Sequence, residues 1–344
     1  MRTKVLKLIL DGNGSYLGME KGCFVVRDRQ GGVRKYPLFE NEVGEVILKS
    51  GNFVSVGALA CMGFWGIDVL IVTRKGKPVA MLKSLDDESH VKTRLAQYEA
   101  LKNGKGITIA KQIVLSKIES QNVILRKYGL KEHNLMLAKE RIENIESENL
   151  IIVRKRLLPI EGKATEFYFK QIFQLLPKSL RVENRRTFKA YDGVNNTFNL
   201  AYELLKWKCY RAIVKAKLEP YLGFVHSEQF GKPNLVCDFQ ELYRYLIDDF
   251  LIQFFQTIKK KDFKTKWENF SPSKKGKRQV LNKEKTKELM RKLNNFFEKK
   301  INVPRIRHGN KQTLETLINE EAYLLAKYLR NERQKWIPRT PTLI

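Results

Sequence analysis

Cysteine is scarce in this chain. Cys23, Cys61, Cys209 and Cys237 are far apart among 344 residues, and no two form a Cys-x-x-Cys pair. That spacing excludes a disulfide scaffold, a zinc ribbon and a thiol redox motif, and it leaves buried, hydrophobe-like free thiols as the expectation. Long apolar runs are also missing. No stretch approaches the ~20 residues of a membrane-spanning helix, and segments such as Val69 to Val72 read as short core pieces. Met1-Arg2-Thr3-Lys4-Val5-Leu6-Lys7 places lysine inside its apolar stretch and then meets Asp11 and glycines, unlike a secretory signal, so the chain reads as cytoplasmic with no membrane part. Acidic residues are in deficit as well: 37 Asp and Glu face 65 Lys and Arg, a formal net charge of +28. Such a surface attracts polyanions, with an affinity that falls as salt rises, and nucleic acid is the first polyanion to consider.

What is present supports folded cores. A hydrophobic fraction of 43% argues against general disorder, and 344 residues exceed the usual single domain. Residues 1–84 read as short strands broken by glycine: Val5 to Ile9, Tyr16 to Met19, Phe24 to Arg27, Val33 to Pro37, Val43 to Leu48, Asp68 to Val72 and Pro78 to Leu82. One helix interrupts them, with Ser55 as cap, Val56, Leu59, Ala60 and Phe64 at helical spacing, and Gly66 at its end. Gly12-Asn13-Gly14 reads as a turn, because no Gly-Lys-Ser/Thr ending or long helix follows it. Around Ser84 to Glu88 the apolar period changes from two to about 3.6 and stays there. The expected architecture is therefore α+β in two domains: a small N-terminal β-rich domain over 1–84, then a larger all-α domain over 85–344.

Residues Lys259 to Lys300 hold the densest charge, including Lys259-Lys260-Lys261 and Lys274-Lys275-Gly276-Lys277-Arg278. Ser271-Pro272-Ser273 and Gly276 mark a loop there, and Leu289, Leu293, Phe296 and Phe297 restore a helical stripe. A solvated helix with a loop and a phosphate-contacting surface are both open readings of this block.

Chemistry concentrates in two segments. Pro159-Ile160 reads as the end of one helix and Glu161-Gly162 as the start of the next, where Glu161 shares a face with Ala164, Tyr168, Ile172 and Leu176. A glutamate there is either a favourable first-turn acid or a ligand. Later, Gly223-Phe224-Val225-His226 precedes a helix that begins near Asp238 and Glu241, with Arg244 three residues further on. An N-cap at Asp238, a capping-box Glu241 and an ion pair to Arg244 explain the acids but leave His226 unexplained. Asp248 and Asp249 lie about 10 Å beyond Glu241 along a helix and read as surface acids. Asp192 and Asn195 read as caps of a helix carrying Ala201, Leu205, Cys209 and Ile213, with a supporting role near a metal as the alternative. An imidazole and two or three carboxylates can hold Mg²⁺ or Mn²⁺, and in so basic a chain that ion would face nucleic acid and phosphodiester chemistry.

In this order, Ile160-Glu161-Gly162 with Ala164 and Tyr168-Phe169, then Asp192 to Leu205, then Gly223 to His226, then Asp238-Phe239-Gln240-Glu241 with Arg244, the chain resembles the CRISPR-associated integrase family, Cas one. The resemblance covers nearly the whole chain, since that family also pairs a small β domain with a larger α-helical one. It implies metal ligands at Glu161, His226 and Glu241, the last being the acid fifteen positions after His226. Many members carry aspartate at that last position, which keeps Asp238 as an alternative or neighbouring ligand. It further implies a homodimer joined through the β domains, a small partner Cas two, and metal-dependent cleavage and strand transfer on double-stranded DNA. In that reaction a 3′-hydroxyl of incoming spacer DNA attacks a phosphodiester of the CRISPR repeat. Arg244, Lys274, Lys275, Lys277 and Arg278 are the candidate DNA contacts. Two other readings stay open: a catalytically silent nucleic-acid-binding or assembly protein, and a repair nuclease acting on branched DNA or RNA.

Overall fold

The computed structural model describes residues 6–37, 43–74, 76, 78–82, 90–227, 229–271, 274–301 and 312–340. The chain divides into two compact units, Met1–Ser89 and His90–Ile344. The change of pattern expected near residue 84 falls within 83–89, outside the described residues.

The first unit is built from β1 (Leu6–Leu10), β2 (Tyr16–Glu20), β3 (Cys23–Arg27), β4 (Val33–Pro37), β5 (Val43–Lys49), β6 (Phe53–Val54), α1 (Val56–Phe64), β7 (Asp68–Val72) and β8 (Pro78–Leu82). They form two four-stranded sheets, of order β1-β5-β7-β8 and β4-β3-β2-β6. The first is parallel except for the antiparallel β8, and the second is a meander to which the short β6 adds in parallel. β6 has no signal in the sequence because two residues carry no periodicity. The anticipated helix is α1, and Ser55 Oγ accepts the Ala58 N–H at 3.1 Å as its cap. Leu17, Phe24, Val46, Ala58, Met62 and Val69 form the buried core of this unit.

The second unit comprises α2 (His90–Ala100), α3 (Gly104–Lys127), α4 (His133–Glu143), α5 (Leu150–Ile172), α6 (Gly193–Lys215), α7 (Asn234–Gln240), α8 (Arg244–Phe255), β9 (Phe263–Ser271), β10 (Lys274–Leu281), α9 (Lys283–Glu298), β11 (Lys300–Ile301), β12 (Gln312–Thr313) and α10 (Leu314–Leu329). Helices α3, α4 and α5 pack on one another, and α6 packs against α7, α8 and α10. Ile113, Ile118, Leu157, Tyr168, Phe198, Leu205, Phe239 and Ile247 are buried in one contiguous core. Each such side chain contributes about 1.5–3 kcal/mol on leaving water. The face expected through Ala164, Tyr168, Ile172 and Leu176 is buried as a stripe. Among the described residues, no helix is long and apolar enough to cross a membrane.

Four local readings are corrected. Helix α5 runs through Pro159 rather than ending there, so Glu161 is a mid-helix residue. The proline removes one helical hydrogen bond, but Val153, Leu157, Ala164 and Tyr168 are buried on both sides of it, and that packing holds the helix together. Ser271 and Gly276, expected in a loop of the basic block, sit on paired strands of an antiparallel hairpin, with Lys277 opposite Trp267 and Arg278 opposite Lys266, while the helical stripe expected through Leu289, Leu293, Phe296 and Phe297 is α9, just after the hairpin. The tip of the hairpin, residues 272–273, lies outside the described residues. Asp248 and Asp249 are buried rather than on the surface. Of the cysteines, Cys209 is buried while Cys23, Cys61 and Cys237 are partly exposed, and all four are free thiols.

Candidate active site

Helix α5 places Glu161, and the segment between α6 and α7 places His226. Asp238 does not cap α7; it lies inside that helix, with a fully buried carboxylate. Its Oδ2 accepts the N–H groups of Phe224 at 2.6 Å and Val225 at 2.8 Å. Its Oδ1 accepts the His226 N–H at 3.1 Å and faces His226 Nδ1 at 2.5 Å. Arg154 of α5 holds the other side of the same segment, donating to the carbonyls of Gly223 at 2.6 Å and Phe224 at 2.8 Å. Gly223 is required by this clamp, because a Cβ there would stand 2.8 Å from Asp238 Oδ2 and 2.9 Å from Asn234 Cβ.

With both Asp238 oxygens engaged, this carboxylate has little left to offer an ion. It sets the imidazole instead: Nδ1–H donates to Asp238 and the lone pair of Nε2 is left available. Burial favours the neutral imidazole, yet the hydrogen bond and charge of Asp238, followed by the charge of Glu241, outweigh it and raise the His226 pKa.

Glu241 ends α7 at a turn, and Arg244 opens α8. Glu241 Oε1 accepts from Arg244 Nη1 at 2.5 Å, the ion pair expected at this spacing. Lys117, from α3, reaches in to pair with Glu161 Oε1 and stands 2.7 Å from Glu241 Oε2. Lys117 thus forms an ion pair with each of the two glutamates. Glu161 Oε1 also accepts from Thr165 Oγ1 at 3.0 Å. Burial opposes ionisation of Glu241, but Arg244 and then Lys117 hold its pKa down at about 2.

Glu161, His226, Glu241, Lys117, Arg185 and Arg244 line one cavity of about 580 Å³. Arg185 lies over the rings of Phe169, Phe198 and Tyr202, and its guanidinium donates to Asn195 Oδ1 at 3.1 Å and Asn199 Oδ1 at 2.6 Å. Arg244 stands 4.3 Å above the Tyr202 ring. Beneath them, Asp248 accepts the hydroxyls of Tyr168, at 2.8 Å, and Tyr202. Burial pushes the Asp248 carboxyl up to about 6, against those two hydrogen bonds and the nearby guanidinium of Arg244.

The donor set fits a hard divalent ion: two carboxylates and one imidazole nitrogen face one cavity. As arranged, no three carboxylate, imidazole or thiol side chains among the described residues already converge as a metal cluster. An ammonium stands between the two glutamates instead. Lys117 and Arg185 had no signal in the sequence, since a basic residue on an amphipathic helix or in a loop reads as solvated.

The hairpin residues do not line this cavity. Arg278 Nε donates to Asn196 Oδ1 at 2.8 Å, and the Lys277 ammonium lies 5.3 Å from the centre of the Trp267 ring. Lys274 and Lys275 sit on β10, with side chains outside the described residues. The hairpin and the cavity wall meet at the start of α6, which Asp192 caps by accepting the Asn195 N–H at 2.7 Å. There Asn196 donates to the Gln279 carbonyl at 2.7 Å, while Asn195 Oδ1 accepts from Arg185 and from the Arg186 N–H. Phe263 rests on Gly193, where an added Cβ would lie 2.1 Å from its ring.

This architecture has counterparts of known structure. It aligns with a casposase bound to integration product over 98% of this chain and 94% of the other, at a TM-score of 0.75 and 19% identity. It aligns with a Cas1 protein from Thermotoga maritima over 94% of this chain and 97% of the other, at a TM-score of 0.71 and 19% identity. The fold therefore falls in the class shared by Cas1 proteins and casposase. Sequence narrows the class. The family model described as CRISPR associated protein Cas1 matches residues 8–286. The CRISPR-associated endonuclease Cas1 1 of Archaeoglobus fulgidus is 30% identical over 270 residues, 71% of this chain and 76% of that protein. One from Francisella tularensis subsp. novicida is 29% identical over 263 residues, 74% of this chain and 81% of that protein. The chain belongs to the Cas1 family, whose curated relatives carry the name endonuclease.

Proposed function

We propose that this protein is a cytoplasmic, metal-dependent DNA endonuclease and integrase of CRISPR adaptation, joining the 3′-hydroxyl of incoming double-stranded DNA to a phosphodiester of the repeat. Glu161, His226 and Glu241 are the residues that would hold Mg²⁺ or Mn²⁺. The observation that carries the reading is the clamp on His226: a fully buried Asp238 whose oxygens are all engaged in presenting an imidazole to a cavity that also holds Glu161 and Glu241.

When bound, the ion would supply Lewis-acid stabilisation of charge on the phosphoryl oxygens and favour the hydroxyl nucleophile. The protein's own side chains do the rest. Asp238 fixes the tautomer of His226, so the imidazole serves as a neutral ligand and not as the base. Arg244 and Arg185, held over Tyr202, bring fixed positive charge to the cavity and suit the binding of a phosphate. The basic hairpin, with Lys274, Lys275, Lys277, Arg278 and the exposed Trp267, is the proposed surface for DNA flanking the reacting phosphate. Assembly as a homodimer through the strand-rich unit and association with Cas two complete the reading. A Cas6-RT-Cas1–Cas2 complex among the structural neighbours, at a TM-score of 0.72 over 100% of this chain, is in keeping with such a partner.

The test is strand transfer of duplexes with free 3′-hydroxyls into repeat DNA with Mn²⁺ or Mg²⁺. Glu161→Ala and His226→Ala are expected to abolish joining while leaving salt-sensitive DNA binding in place. Undiminished joining in either variant sinks the mechanism. Efficient cutting of branched DNA without joining redirects it to repair.

A further inference from the structure

Lys117 occupies the gap that the proposed ligands would share. It pairs with Glu161 Oε1, lies 2.7 Å from Glu241 Oε2, and keeps only 8% of its side chain exposed. Helix α3 delivers it from a buried stretch that includes Ile113, Val114 and Ile118, so its carbon stem is packed and its head alone reaches the cavity. Arg244 pairs with the same Glu241. Two carboxylates thus meet two cations, and the gap is neutral before any ion arrives.

An ion held by Glu161 and Glu241 competes with Lys117, which pairs with both carboxylates. A neutral gap offers a dication much less than a pair of bare carboxylates does. A DNA phosphate changes this, because it adds negative charge to the cavity and offers the displaced ammonium a new partner beside Arg185 and Arg244.

We propose that Lys117 is a positioning residue that competes with the divalent ion for Glu161 and Glu241, so that the ion is held firmly only once a DNA phosphate occupies the cavity. The inference rests on the metal reading above. Linkage makes the coupling reciprocal: DNA tightens the ion by the factor by which the ion tightens DNA. The device keeps the nuclease site unloaded when no DNA is present.

The test measures free Mn²⁺ by electron paramagnetic resonance in titrations of the full chain, with and without a short duplex. In the wild-type protein the duplex tightens Mn²⁺ binding about tenfold or more. Lys117→Met binds Mn²⁺ about tenfold more tightly than wild type without DNA and loses most of the coupling. Lys117→Arg restores weak, DNA-dependent binding, a rescue that a merely structural role would not produce in metal affinity. Unchanged or weaker Mn²⁺ binding by folded Lys117→Met overturns the proposal. So does wild-type Mn²⁺ affinity that is indifferent to DNA, a result that needs no variant. Equal Mn²⁺ affinity in Glu161→Gln and wild type sinks the metal reading itself, whereas Glu161-dependent binding without coupling sinks only the role of Lys117.

Discussion

Replacing Asp238 by asparagine keeps the shape of the side chain and removes one acceptor. The wild-type carboxylate accepts from three main-chain N–H groups and from the imidazole, in a segment buried at Phe224 and Val225 and partly buried at His226. If the asparagine oxygen serves Phe224 and Val225, its NH₂ group faces the His226 N–H, and that donor is left without a partner. A buried unpaired donor costs about 1–3 kcal/mol, and weakening the charge-assisted bonds adds about 1 kcal/mol, so about 3 kcal/mol is lost in all. For a unit of this size that lowers Tm by about 6–12 °C, readable by circular dichroism. The functional loss is separate. An NH₂ group beside Nδ1 forces the ring proton onto Nε2, the nitrogen proposed as metal ligand. Mn²⁺ affinity and strand transfer at about 25 °C, where the variant is still folded, are expected to fall about 10- to 100-fold. Leu157→Ala, a core truncation of comparable cost at about 2–5 kcal/mol, is expected to keep its rate at that temperature. A folded Asp238→Asn protein with wild-type Mn²⁺ affinity and joining rate would refute the reasoning, because the clamp would then hold the chain without tuning the imidazole.

Asp248 carries a pH dependence of defined sign. Its folded pKa of about 6 lies above the ordinary 3.8, so the protonated acid is the form the fold prefers. The resulting stability is fully present below about pH 4 and is lost as pH rises through about 6, a swing of about 3 kcal/mol. The neutral amide introduced by Asp248→Asn mimics the protonated acid, so urea unfolding is expected to show the variant gaining on wild type by that amount between about pH 4 and about pH 8. A difference that does not change with pH removes the argument. For the hairpin, Lys277→Gln is expected to reduce the salt slope of DNA binding by about one, and Trp267→Ala to weaken single-strand binding by about 1–3 kcal/mol. Fluorescence anisotropy across a salt series checks both, and unchanged slopes and affinities exclude the hairpin as a DNA surface.

The sequence by itself determined whatever depends on local pattern. The change from period two to period 3.6, the cap at Ser55, the buried stripe from Ala164 to Leu176 and the Glu241–Arg244 pair all follow from residues near one another in the chain. Glu161, His226 and Glu241 were nameable as a set because their order and motifs resemble a family. Tertiary structure decided the rest. Asp238 stays an alternative to Glu241 until Gly223 to His226 fold back and engage both its oxygens, leaving Glu241 facing the cavity. Lys117 is a lysine on an amphipathic helix until α3 packs on α5 and delivers it between two carboxylates. Asp248 reads as a surface acid until Tyr168 and Tyr202 close over it, and Pro159 reads as a helix end until buried neighbours hold α5 together through it. The physical reason is common to all four. Burial and charge pairing are properties of residues brought together from distant helices, and no spacing along one segment encodes which distant group will arrive.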